Sequence, residues 1–105
     1  MNELVVSQFV VPAEHPALAG HFPGRPVVPG VMLLEAARAA VPSGADTLRA
    51  IPSAKFLRAV LPGERIELRI ELARDASGLR ARFRGLRAEA VVFEGSFLFA
   101  PGGNP

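Results

Sequence analysis

Residues 30–42 read GVMLLEAARAAVP, and this stretch decides the fold. It is dense in Ala, Leu and Met, which lose little side-chain freedom in a helix, and Pro42 cannot extend the helix past its own position. The sequence therefore predicts a helix over residues 30–41. Apolar side chains occupy nearly its whole circumference, with Glu35 and Arg38 as the only charges. A helix of that kind is expected to be buried on most sides. Whatever covers it must come from the rest of a short chain.

On its C-terminal side the pattern changes period. After Pro42-Ser43-Gly44, residues 47–59 read as strand, with Pro52 demoting that point to an edge or a bend. Leu61-Pro62-Gly63-Glu64 is a turn. Ile66, Leu68, Ile70 and Leu72 then alternate with Arg65, Glu67, Arg69 and Glu71, as in a strand with one buried and one solvated face. A turn over 75–78 leads to a strand in which Leu79, Ala81 and Phe83 alternate with Arg80, Arg82 and Arg84. A short turn near Arg87 precedes a last strand over 90–100, where, as at Phe56 and Phe83, the aromatic residues read as packing groups. On the N-terminal side, residues 2–11 read as a first strand. Residues 12–29 hold five prolines with Gly20 and Gly24, a stiff, shaped loop without helix. The sum is one early helix and an antiparallel meander of four or five strands, the α+β class. One domain over residues 1–100 is expected, followed by a disordered tail over 101–105. A domain this small does not cover both the helix and the sheet edges alone, so self-association is expected.

The chain of 105 residues has room for one core, about two-thirds of its surface being buriable without disulfide or metal. With no Cys there is no disulfide framework, thiolate nucleophile or zinc-finger site, and two His residues leave little material for a metal centre. Twelve basic residues against ten acidic ones make too even a balance for nucleic-acid binding, and Trp and Tyr are absent. The longest uncharged apolar run, 27–34, is too short to span a bilayer, and Glu3 stands where a signal peptide would carry a cation. A cytoplasmic location is expected.

The chemistry concentrates in residues 15–35, HPALAGHFPGRPVVPGVMLLE. His21 in the stiff loop is a usable base near neutrality. Glu35, on an apolar helix, would be desolvated there and poised as an acid. Pro29 and Gly30 mark the helix start, whose first N–H groups have no internal acceptor and would polarise a carbonyl oxygen placed beyond them. Taken singly, a loop His and a helical Glu are ordinary structural residues; their joint spacing with the Pro-Gly helix start points to acid–base chemistry. His15, off this motif, reads as a capping or surface residue.

The run GHFPGRPVVPGVMLLE, residues 20–35, resembles the active-site motif of the FabZ-type 3-hydroxyacyl-acyl-carrier-protein dehydratases. Lys55-Phe56-Leu57-Arg58, Pro62-Gly63-Glu64 and Phe83-Arg84-Gly85 are similar to later strands and turns of that family, so the likeness covers most of the chain. It implies a hot-dog fold, a central helix wrapped by an antiparallel sheet. It implies catalytic His21 and Glu35 from two chains meeting across a dimer interface, and the thioester oxygen held at Gly30 and Val31. Phe22, Pro29 and Phe56 would line the acyl path. Arg25, Lys55, Arg58 and Arg84 would contact acyl carrier protein, whose phosphopantetheine carries the substrate, with no cofactor or metal on the enzyme itself. The reaction implied turns a (3R)-3-hydroxyacyl thioester into a trans-2-enoyl thioester.

Glu rather than Asp at position 35 favours simple dehydratases over dehydratase-isomerases. Ala39 departs from the Gln that often follows the acid in the family, and typical members have more N-terminal chain. Short relatives also resemble accessory dehydratases of polyketide-like or aryl-polyene pathways, alongside fatty acid biosynthesis. The expected assembly is a dimer or trimer of dimers, with room for a companion dehydratase subunit. Two alternatives remain: a hot-dog thioesterase, and a non-catalytic carrier-binding or scaffold subunit.

Overall fold

The computed structural model describes residues 2–15, 18, 27–44 and 46–102. Strand β1 (Asn2–Val10) is followed by helix α1 (Gly30–Ala40). Strands β2 (Thr47–Phe56), β3 (Arg65–Asp75), β4 (Gly78–Arg87) and β5 (Ala90–Ala100) come after it. The sheet order is β1-β3-β4-β5-β2, and every pairing is antiparallel.

The period-two segments fold as their patterning demands. Ile66, Leu68, Ile70 and Leu72 are all buried, as are Leu79, Ala81 and Phe83 of the neighbouring β4, while the intervening arginines and Glu71 face solvent. Phe93, Phe97 and Phe99 of β5 complete the apolar layer. Phe83 and Phe97 lie 4.7 Å apart between ring centroids, and Phe9 meets Phe93 edge-on at 6.4 Å. Offset and edge-to-face pairs suit the ring quadrupoles. The helix presses Leu33 and Ala37 onto this layer, with Val41 just beyond its end.

Pro52 acts as its chemistry predicts. Lacking an N–H, it sits on an edge strand, and the β2–β5 register shifts twice around it, between Leu48 and Ala50 and between Ala50 and Ser53. The strand is shorter than the sequence suggests. It stops at Phe56 because the N–H groups of both Leu57 and Arg58 donate to the Val92 carbonyl, at 2.9 and 3.1 Å, which turns the chain off the edge. The tail begins tethered, with the Gly102 N–H donating to Asp46 Oδ1 at 2.8 Å; residues 103–105 lie outside the described residues.

One expectation needs correction. In the single chain α1 is buried on one side only: Leu33 and Ala37 are enclosed, whereas Val31, Glu35, Arg38 and Ala39 are exposed. A five-stranded sheet covers one flank of a helix. The Ala-rich composition hides which flank that is, because no polar stripe marks the other.

Candidate active site

A cleft of about 450 Å³ opens at the N-terminal end of α1, between residues 27–30 with Leu33 on one side and residues 56–60 on the other. A backbone bond ties its two walls together, the Val28 N–H donating to the Val60 carbonyl at 2.8 Å. Pro29 is the N-cap residue, extended at φ −61° and ψ 146°, and supplies no side-chain cap. Its carbonyl accepts the Met32 N–H at 3.0 Å. The first helical N–H groups belong to Gly30 and Val31, and the helix has no acidic residue in its first turn to bond them. Among the described residues no side chain caps these donors, and N–H groups at the positive end of a helix, beside a cleft, suit a carbonyl oxygen that gains negative charge during reaction.

Gly30 lets the Phe56 ring pack directly on the helix start, and a side chain there would push that ring aside. A Cβ there would lie 2.8 Å from Cζ of Phe56, and real side chains do not approach that closely. The Phe56 ring therefore rests over the helix start while remaining about half exposed (49%). Arg58 joins it in lining the cleft.

Of the residues singled out by sequence, Pro29, Gly30, Phe56 and Arg58 converge here. Val31 and Glu35 stand one helical turn apart on the open flank of α1, Val31 being 62% exposed. The desolvation expected for Glu35 is thus not supplied by the single chain. Lys55 and Arg84 lie elsewhere. Both are exposed and both pair in register with Glu94, on the sheet face opposite the one that Phe56 turns to the helix. His21, Phe22 and Arg25 lie outside the described residues. His15 is exposed, its N–H bonded to the Pro12 carbonyl at 3.1 Å.

Two residues to which the sequence reading assigned no site role support the cleft. Glu64 Oε1 accepts the Leu61 N–H at 2.7 Å and Arg87 Nη1 at 2.7 Å; the same Nη1 donates to the Ala59 carbonyl at 2.8 Å. The Leu61 N–H bond, and after it the opposed effect of burial and the Arg87 bond and charge, leave the Glu64 carboxyl below its ordinary range. The Pro-Gly-Glu turn was visible in the sequence; its cation, 23 residues away, was not.

A single helix cradled by one five-stranded antiparallel sheet is the architecture of a hot-dog-fold protein. Similar solved structures include the dehydratase heterocomplex ApeI:P from Xenorhabdus doucetiae, with TM-score 0.73 and 20% identity over 96% of this chain and 95% of that one. Another is the (R)-hydratase from A. caviae involved in PHA biosynthesis, with TM-score 0.77 and 16% identity over 94% of each chain. Among curated relatives, the 3-hydroxyacyl-[acyl-carrier-protein] dehydratase FabZ of Chloroflexus aggregans is 35% identical over 90% of this chain and 74% of its own length. The chain spans about half to three-quarters of the length of the curated relatives it matches. Residues 1–96 match the ApeI-like family, described as ApeI dehydratase, and the chain belongs to that family.

Proposed function

We propose that the protein dehydrates (3R)-3-hydroxyacyl thioesters of acyl carrier protein to trans-2-enoyl thioesters. The observation that carries this reading is the uncapped helix start at Pro29–Gly30, open to a cleft of acyl dimensions, in a chain of a dehydratase family. The N–H groups of Gly30 and Val31 hold the thioester oxygen. Electron withdrawal toward that oxygen acidifies the adjacent Cα–H, and His21 takes the proton. The electron pair forms the Cα–Cβ double bond as the Cβ–O bond breaks, and Glu35 protonates the departing hydroxyl, which leaves as water. Return of the proton from His21 to Glu35 restores both groups. No redox change occurs, and the only cofactor involved is the carrier's phosphopantetheine.

Phe56, Pro29 and Phe22 wall the acyl path, and Arg58 with Arg25 meets the acidic carrier at the mouth. Lys55 and Arg84, on the far sheet face, are poorly placed for that contact within one chain. A second copy closes the site by covering the open flank of α1 and the β2 edge, bringing His21 of one chain to Glu35 of the other. Exposed Val31, Ile51, Phe56 and Leu57 favour such a partner. The likeness to an ApeI:P heterocomplex supports a companion subunit in that place as an alternative to a second copy. A cytoplasmic setting suits this chemistry, and no helix among the described residues is long and apolar enough to cross a membrane.

The test is turnover of a 3-hydroxyacyl thioester panel, followed by its ultraviolet enoyl absorbance. His21→Ala and Glu35→Gln should each lower kcat roughly 100-fold or more with the fold retained. Wild-type-like rates in either variant would end the assignment, and release of free thiol would make the protein a thioesterase.

A further inference from the structure

The wall of the cleft formed by residues 57–60 lies beyond the end of β2; the Leu57 and Arg58 N–H groups still reach the Val92 carbonyl of β5, but among the described residues no strand carbonyl or N–H holds Ala59. Arg87 does. One nitrogen, Nη1, bridges the Ala59 carbonyl in that wall and the Glu64 carboxylate in the turn that follows it. The turn is itself anchored, the Gly63 N–H donating to the Val11 carbonyl at 2.8 Å. The opposite wall hangs from the same segment through the Val28–Val60 bond, immediately before the Pro29–Gly30 helix start. A displacement at Ala59 is therefore passed to Val60, Val28 and the N–H groups at the reacting end of the helix.

The backbone that presents Arg87 is constrained as well. Ala88 and Glu89, which close the β4–β5 hairpin, both have positive φ, 50° and 70°. A two-residue turn of that kind fixes the pairing of Arg87 with Ala90 beside it, and so fixes where Arg87 emerges.

We propose that Arg87, through Glu64 and the Ala59 carbonyl, is a positioning residue that sets the width of the acyl cleft and the placement of its carbonyl-binding N–H groups. This rests on the dehydratase reading for its catalytic consequence, though not for its structural one. Arg87 does not touch the substrate. Because both bonds come from one nitrogen, a lysine ammonium, though one bond shorter, keeps the charge and can hold one of the two acceptors, whereas methionine holds neither.

The experiment compares wild type, Arg87→Met and Arg87→Lys by residue-resolved amide hydrogen exchange and by steady-state kinetics on short and long 3-hydroxyacyl thioesters. In Arg87→Met the Val28 N–H should exchange about tenfold faster while the N–H groups of Ile70 and Ala81 in the central strands keep their rates; Arg87→Lys should bring Val28 part of the way back toward the wild-type rate. In Arg87→Met KM should rise about tenfold for the long substrate and less for the short one, and kcat should fall several-fold on both as the carbonyl-binding N–H groups shift. Unchanged exchange at Val28, or an equal rise at Ile70 and Ala81, overturns the proposal, as does Arg87→Met kinetics equal to wild type on both substrates. If the wild type turns over neither substrate, the dehydratase reading falls and the exchange data still decide the clamp.

Discussion

The two edges of the sheet are built differently. β1 pairs with β3 in nine consecutive positions without a shift, from Asn2–Ala73 to Val10–Arg65, and turns Val5 and Phe9 onto the core. β2 loses register twice and ends by laying Phe56 over the helix start. One edge is spent on stability and the other on the site. The ladder is interrupted around Pro52, resumes over Ser53–Phe56, and leaves the edge at Leu57, where the chain turns to the cleft.

That division predicts unequal costs. Phe9→Ala, which removes an edge-on partner of Phe93, should lower unfolding free energy by roughly 2–3 kcal/mol in chemical denaturation. Ile51→Ser on β2 should cost roughly 0.5 kcal/mol or less at dilute concentration, and should show itself as weakened self-association in sedimentation. Equal losses at the two positions would erase the contrast.

A smaller effect of opposite sign is expected between β4 and β5. Glu89 holds a backbone conformation that disfavours L side chains, so Glu89→Gly should raise stability by roughly 0.5–1 kcal/mol, read as a higher denaturation midpoint. A fall would mean that the Glu89 side chain compensates for its backbone.

The smallest effect should appear in acid. Asp75, bonded by the Ser77 hydroxyl and N–H, and Asp46, bonded by Arg74 and the Gly102 N–H, both have carboxyls below their ordinary range, as does Glu64. A folded-state value below the unfolded one stabilises above the ordinary carboxylate range, and that contribution disappears as pH falls through the folded value. Stability should therefore hold from neutrality to about pH 5 and decline below about pH 4, less steeply in Asp46→Asn. An identical decline in that variant would remove Asp46 from the account.

Much of this was legible in the residues. The alternation at 65–72 gave β3 its buried and wet faces because a period of two has one solution on a sheet. Pro52 gave the edge, and residues 20–35 gave the family and its helix start. The exposed flank of α1 was not legible, since an Ala-rich helix does not record what stands opposite it. Nor was the end of β2, decided by the Val92 carbonyl accepting two N–H groups, or the Arg87–Glu64 clamp, whose members meet only after β3 and β4 have paired.

The bond between Asp46 and the Gly102 N–H has a practical side. It fastens the outgoing chain beside the start of β2, where Thr47 pairs with Ala100, while the cleft lies where that strand ends. A fluorophore, affinity handle or surface linker is thus best joined at this pole of the subunit, which lies at the other end of β2 from the cleft.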